Sequence, residues 1–124
     1  MTTQEFISLL FCVVETTHKA HWQTNSFAAH LALDSIYNDI PGLRDRFVES
    51  YQGKYGILYN IPKTEEPEGQ DMVDYITKVC KCIEDDYYES IKEGFLKQIT
   101  DDILELLYSN LYKLRELNDG SQVS

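Results

Sequence analysis

Phe27-Ala28-Ala29-His30-Leu31-Ala32-Leu33-Asp34-Ser35-Ile36-Tyr37 begins the stretch that decides how this chain folds, and the stretch continues through Asp45 and Glu49 to Tyr51. Phe27, Leu31, Leu33, Ile36, Tyr37, Leu43, Phe47 and Val48 keep helical spacing, and Asn25 and Ser26 ahead of them are good N-cap residues. The pattern predicts a helix from about Phe27 to Tyr51. Pro41-Gly42 lies inside it and must either kink the helix or break it into two pieces. On this helix His30 and Asp34 stand four residues apart, as do Asp45 and Glu49, so each pair projects from one face like two prongs. The eleven positions from Asp34 to Asp45 make about three turns and advance roughly 16 Å. Both pairs then share nearly one face, too far apart to hold a single ion between them.

Upstream, Thr2-Thr3-Gln4-Glu5 reads as a Thr-x-x-Glu capping box ahead of Phe6, Ile7, Leu9, Leu10, Val13 and Val14, which predicts a first helix from about Thr3 to Gln23. Downstream, residues 52–70 lose periodicity and collect Gly53, Gly56, Pro62, Pro67 and Gly69, the composition of a long connection able to run the length of a bundle. Met72, Val73, Ile76, Val79, Cys80 and Ile83 define a third helix ending near Glu93-Gly94. Phe95, Ile99, Ile103, Leu106, Leu107, Leu111 and Leu114 define a fourth, which stops at Asn118-Asp119-Gly120. A helix pair, a long crossover and a second helix pair is the order of an all-α, ferritin-like four-helix bundle. The expectation is one domain over residues 1–118 and a frayed tail over 119–124.

Composition narrows the function classes. No apolar run approaches the roughly 20 residues needed to span a bilayer, and Met1 to Glu5 lacks the basic flank of a signal peptide, so a cytoplasmic protein is expected. The net charge of −10 repels phosphate and disfavours nucleic acid as a partner, while suiting cations. Cys12, Cys80 and Cys82 are odd in number, and Cys80-Lys81-Cys82 has the wrong spacing for a common zinc or redox motif, so they read as reduced helical thiols.

The separation of the two prong pairs makes sense if two copies of the second helix lie antiparallel about a two-fold axis near Ile40. His30 and Asp34 of one copy then face Asp45 and Glu49 of the other, giving two equivalent sites per dimer. His21, at the end of the first helix, can reach the same end of the bundle as His30. Two imidazoles and three carboxylates suit iron(II) and are compatible with manganese or zinc.

The stretch His21-Trp22-Gln23, then Phe27-Ala28-Ala29-His30, Asp34-Ser35-Ile36-Tyr37, Asp45 and Glu49 resembles the signature of the Dps proteins, the mini-ferritins of the ferritin-like superfamily. The resemblance implies that His21, His30 and Asp34 of one subunit and Asp45 and Glu49 of a two-fold partner bind iron(II). It further implies oxidation of that iron by peroxide or oxygen, and storage of a ferric mineral in a hollow, usually dodecameric shell. The chain departs from the family in a turn between Trp22 and Phe27 about three residues shorter than usual, in Pro41-Gly42, and in lacking a Lys-rich N-terminal tail. The short form invites comparison with small ferritin-like proteins of some bacteriophage genomes.

Each residue also has a plainer reading. A lone helical His is usually a hydrogen-bonded surface or core residue, and Asp45 and Glu49 could pair with Arg44 and Arg46 or face solvent. His18 reads as a solvated helix residue outside the site, and Trp22 as packing at a subunit contact. The rival function is a non-enzymatic helical adaptor or assembly protein whose metal site is degraded or structural. A di-metal carboxylate bundle with its site inside one chain is disfavoured, since the last two helices lack a Glu-x-x-His pair.

Overall fold

The computed structural model describes residues 1–65, 67 and 69–117. Among these the chain is helical, without strands: α1 spans Thr3–Gln23, α2 Phe27–Tyr55, α3 Met72–Asp86 and α4 Gly94–Glu116, with a short 3-10 turn at Tyr88–Ser90. The expected stop at Asn118-Asp119-Gly120 and the expected tail, 119–124, lie outside the described residues. Among the described residues no helix is long and apolar enough to cross a membrane.

The caps follow from local chemistry. Thr2 Oγ1 accepts from the Glu5 N–H at 3.1 Å and Glu5 Oε1 accepts from the Thr2 N–H at 2.8 Å, which completes the capping box of α1. Of the two candidate caps for α2 it is Ser26 that serves, its hydroxyl accepting from the Ala29 N–H at 3.1 Å. α3 starts on Asp71, whose carboxylate accepts from the N–H groups of Val73 and Asp74. α2 continues past the expected Tyr51 to Tyr55 and is closed by Gly56 at φ 94°, a left-handed backbone that glycine adopts without strain.

Pro41 does not break α2, which is one helix of 29 residues. Proline has no N–H to give the Tyr37 carbonyl, and an interior proline costs about 3 kcal/mol. What keeps the helix whole is burial on both sides: Ile36, Ile40 and Phe47 are all fully buried. Each such side chain contributes about 1.5–3 kcal/mol. Ile40 thus points into its own core, and the surface at that level belongs to Asn38, Asp39 and Gly42.

The third helix ends earlier than its periodicity predicts, at Asp86 instead of near Glu93. Tyr87 is the cause. Its ring is buried against Phe6, 4.4 Å between centroids and 17° from parallel, and its hydroxyl shares a 3.0 Å hydrogen bond with Thr3 Oγ1. Phe47 completes the cluster edge-on to Phe6 at 5.1 Å. Turning Tyr87 into this cluster takes the chain out of helical register, and Ile91 is buried just beyond.

These contacts set the topology. The start of α1, the end of α2 and the end of α3 meet at the Phe6–Phe47–Tyr87 end, where Tyr55 of α2 also hydrogen-bonds Glu93 beside the start of α4. α1 and α2 are antiparallel, a crossover returns the chain to the far end, and α3 and α4 form a second antiparallel pair packed on the first. The crossover lies along α1: Gln4 Nε2 donates to the Tyr59 carbonyl at 3.3 Å, Ser8 Oγ to Pro62 at 2.5 Å, and Cys12 Sγ to Glu65 at 3.8 Å.

Gly42 is helical, and a Cβ added there meets nothing within 4 Å. Gly42→Ala is therefore expected to raise the stability of an isolated chain by roughly 0.5–1 kcal/mol, measured by urea unfolding at low protein concentration. A loss of stability in that measurement would mean that the helix is strained at Pro41-Gly42.

Candidate metal centre

α1 presents His21 from its last turn, and α2 presents His30 and Asp34 from its first two turns. The three residues between the helices make the link tight. Thr24 N–H bonds the Ala20 carbonyl at 3.1 Å, and Thr24 Oγ1 accepts from the Ser26 N–H at 3.1 Å. The short turn thus brings His21 to His30 directly: their rings stack at 3.9 Å, 27° from parallel.

A carbonyl only accepts, so the 3.0 Å contact between His30 Nδ1 and the His21 carbonyl places a proton on Nδ1. This anchors the ring and leaves Nε2 as the nitrogen available to a cation, the arrangement by which ligating histidines are usually oriented. Asp34 Oδ1 accepts from the Tyr37 hydroxyl at 2.8 Å, and it lies 3.6 Å from His21 Nε2, beyond hydrogen-bond length. The Asp34 carboxylate in turn holds the Tyr37 phenol above its ordinary pKa, chiefly through that hydrogen bond.

Burial is uneven across the cluster. The His21 side chain is 10% exposed and that of Asp34 43%, so the corner is closed on its imidazole side and open at the carboxylate. Among the described residues His21 Nδ1 is buried without a hydrogen-bond partner. Leaving such a group unsatisfied costs about 1–3 kcal/mol.

Three of the five expected residues therefore come together in one chain. They do not form a closed chelate: among the described residues no group of three His, Cys, Asp or Glu side chains is placed to hold an ion. Asp45 and Glu49 lie elsewhere, about three turns along α2, both exposed. Asp45 takes a 3.2 Å hydrogen bond from Arg44 Nε, and the Arg44 guanidinium also covers the Phe11 ring at 4.0 Å. Arg46 reaches Asp102 at 3.9 Å instead of either acid.

Two neighbours of the cluster were not assigned to it from sequence. Tyr37 is one; its spacing of three from Asp34 was the available signal. The other is His18, expected to be solvated. Its ring is stacked on Tyr37 at 4.0 Å and 10°, with Trp22 on it at 4.7 Å and 48°. Nothing local in the sequence announces that contact, which forms only when α1 and α2 pack. The cysteines stand apart as free thiols, with Cys12 and Cys80 buried and burial pushing Cys80 up to about 12.

Because His21 Nδ1 contributes no hydrogen bond, His21→Leu is expected to leave the metal-free protein within about 1 kcal/mol of the original or more stable, by urea unfolding. A loss above roughly 2 kcal/mol would show that the imidazole is a structural residue.

Comparison with known proteins adds a lineage. Residues 21–114 match a family of unknown function, DUF5856, and the matched span contains every residue of the expected site. The chain is also 32% identical over 114 residues, 89% of its length and 85% of the relative's, to an uncharacterized 14.6 kDa protein in the mobD-ri intergenic region of Enterobacteria phage T4. No solved structure matches it. With most of its length inside the matched span, the chain belongs to the DUF5856 family.

Proposed function

We propose that this protein is a Dps-like, ferritin-like bundle that binds iron(II) at a site shared between two copies and oxidises it with peroxide or oxygen. The observation that carries the reading is the split of the donor set. One corner of the chain gathers His21, His30 and Asp34, and the exposed stripe of α2 that holds Asp34 carries Asp45 and Glu49 roughly 16 Å further on. Two copies of α2 laid antiparallel bring each corner against the other copy's acids, completing two sites at once. The same stripe carries Phe27 and Leu31, 70% and 51% exposed, beside Trp22 at 69%; these are the apolar side chains such a contact would cover.

Iron is the substrate here. Two imidazoles and carboxylates suit iron(II), and the His30 tautomer and the unpartnered His21 nitrogen fit a cation in this corner. Cation entry requires the stacked rings to separate, so that both imidazoles turn nitrogen toward one point. The carboxylates favour the ferric product by their charge. Two iron(II) ions each give one electron to a peroxide, whose O–O bond breaks, and hydrolysis of the ferric product releases protons. Storage of that product in a closed shell, a dodecamer in the resemblance, belongs to the same proposal, as does a cytoplasmic setting. Manganese or zinc would occupy the donors without this turnover.

The helical adaptor is the second reading, and the exposed Trp22, Phe27 and Leu31 favour it equally, since they fit a protein contact whether or not metal binds. One experiment separates the two. Metal-free protein is titrated anaerobically with iron(II), peroxide is added, and ferric absorbance is followed beside His30→Ala/Asp34→Ala, with light scattering for size. The expected result is rapid oxidation by a large oligomer, slowed at least tenfold in the variant. Iron(II) binding no better than the variant's, in a small oligomer, would leave the adaptor.

A further inference from the structure

His18 lies flat against Tyr37 from α2 and next to Trp22 from its own helix, one turn on, which meets it tilted by 48°. Its ring centroid is 6.1 Å from that of His21. Tyr37 links this stack to the candidate centre: its hydroxyl holds Asp34 Oδ1 at 2.8 Å, and its ring meets His21 edge-on at 5.0 Å and 67°. A phenol tied at its hydroxyl can still swing about its side-chain torsions, carrying the hydrogen bond and the carboxylate with it. A flat stack 10° from parallel on the opposite helix removes that swing.

We infer that His18 is a positioning residue: by stacking on Tyr37 it holds the Tyr37 hydroxyl on Asp34, and so keeps the Asp34 carboxylate turned toward His21. The role rests on the proposed cation site for its purpose but not for its geometry. It assigns His18 no bond to the cation. It requires a flat ring at position 18, not an imidazole as such, and this separates it from a ligand's role.

The full-length wild-type chain is compared with His18→Ala, His18→Phe, Tyr37→Phe and the His18→Ala/Tyr37→Phe double variant, each first shown by thermal unfolding to be folded. In metal-free protein, NMR three-bond couplings report the Tyr37 side-chain rotamer. A single rotamer is expected in the wild type and His18→Phe, and rotamer averaging in His18→Ala; the same rotamer distribution in all three overturns the inference. Cobalt(II) is then titrated and its visible absorption followed. About tenfold weaker binding is expected in His18→Ala and Tyr37→Phe, with recovery in His18→Phe and no further loss in the double variant. Unchanged cobalt(II) binding in His18→Ala overturns the inference, and so does a loss that His18→Phe fails to restore. A wild-type chain that takes up no cobalt(II) overturns the proposed cation site instead, and the Tyr37 rotamer alone then decides what His18 does.

Discussion

The hydrogen bond from His30 Nδ1 to the carbonyl of His21 ties the last turn of α1 to the first turn of α2, and the rest of the candidate centre is arranged around it. It forms because only three residues separate the helices and because Thr24 and Ser26 cap both ends of that link. With the two helix ends so joined, the backbones of His21 and His30 stay adjacent while their rings keep their torsional freedom, Asp34 falls one turn beyond, and Tyr37 another turn along.

Much of this was legible in the sequence, and for identifiable reasons. Caps and four-residue pairs depend on neighbours along the chain, so the Thr2–Glu5 box and the His30–Asp34 spacing could be read directly, and the cap of α2 could be narrowed to Asn25 or Ser26. The helix order and the long crossover followed from periodicity and its loss. What escaped was settled by contacts between distant residues. Tyr87 ends α3 because Phe6 and Thr3, more than eighty positions earlier, take its ring and hydroxyl. Pro41 stays within a continuous helix because Ile36, Ile40 and Phe47 are anchored in the core around it. His18 looked solvated because Tyr37, which stacks on it, lies on the other helix.

Stability and chemistry pull apart in the same corner. The core is built of well-buried aliphatic and aromatic side chains from all four helices, whereas this one end of the α1–α2 pair leaves an imidazole nitrogen unsatisfied and large apolar groups in solvent. Natural sequences are expected to break local rules where a site or a contact demands it. Apolar side chains also face solvent elsewhere, at Phe11, Ile57, Tyr59 and Phe95; what sets this corner apart is that two stacked imidazoles and a carboxylate stand beside them, which is why it carries the functional reading.

Trp22 is the one tryptophan of the chain, and its indole rests 4.7 Å from the ring of His18. The intrinsic indole emission of the protein therefore comes entirely from this corner. Bundle unfolding, cover of the α1–α2 face by another molecule, and any rearrangement of the His18–Tyr37 stack would each register in that one signal without an added dye. The molecule carries its own optical label, fixed beside the residues whose behaviour most needs to be watched.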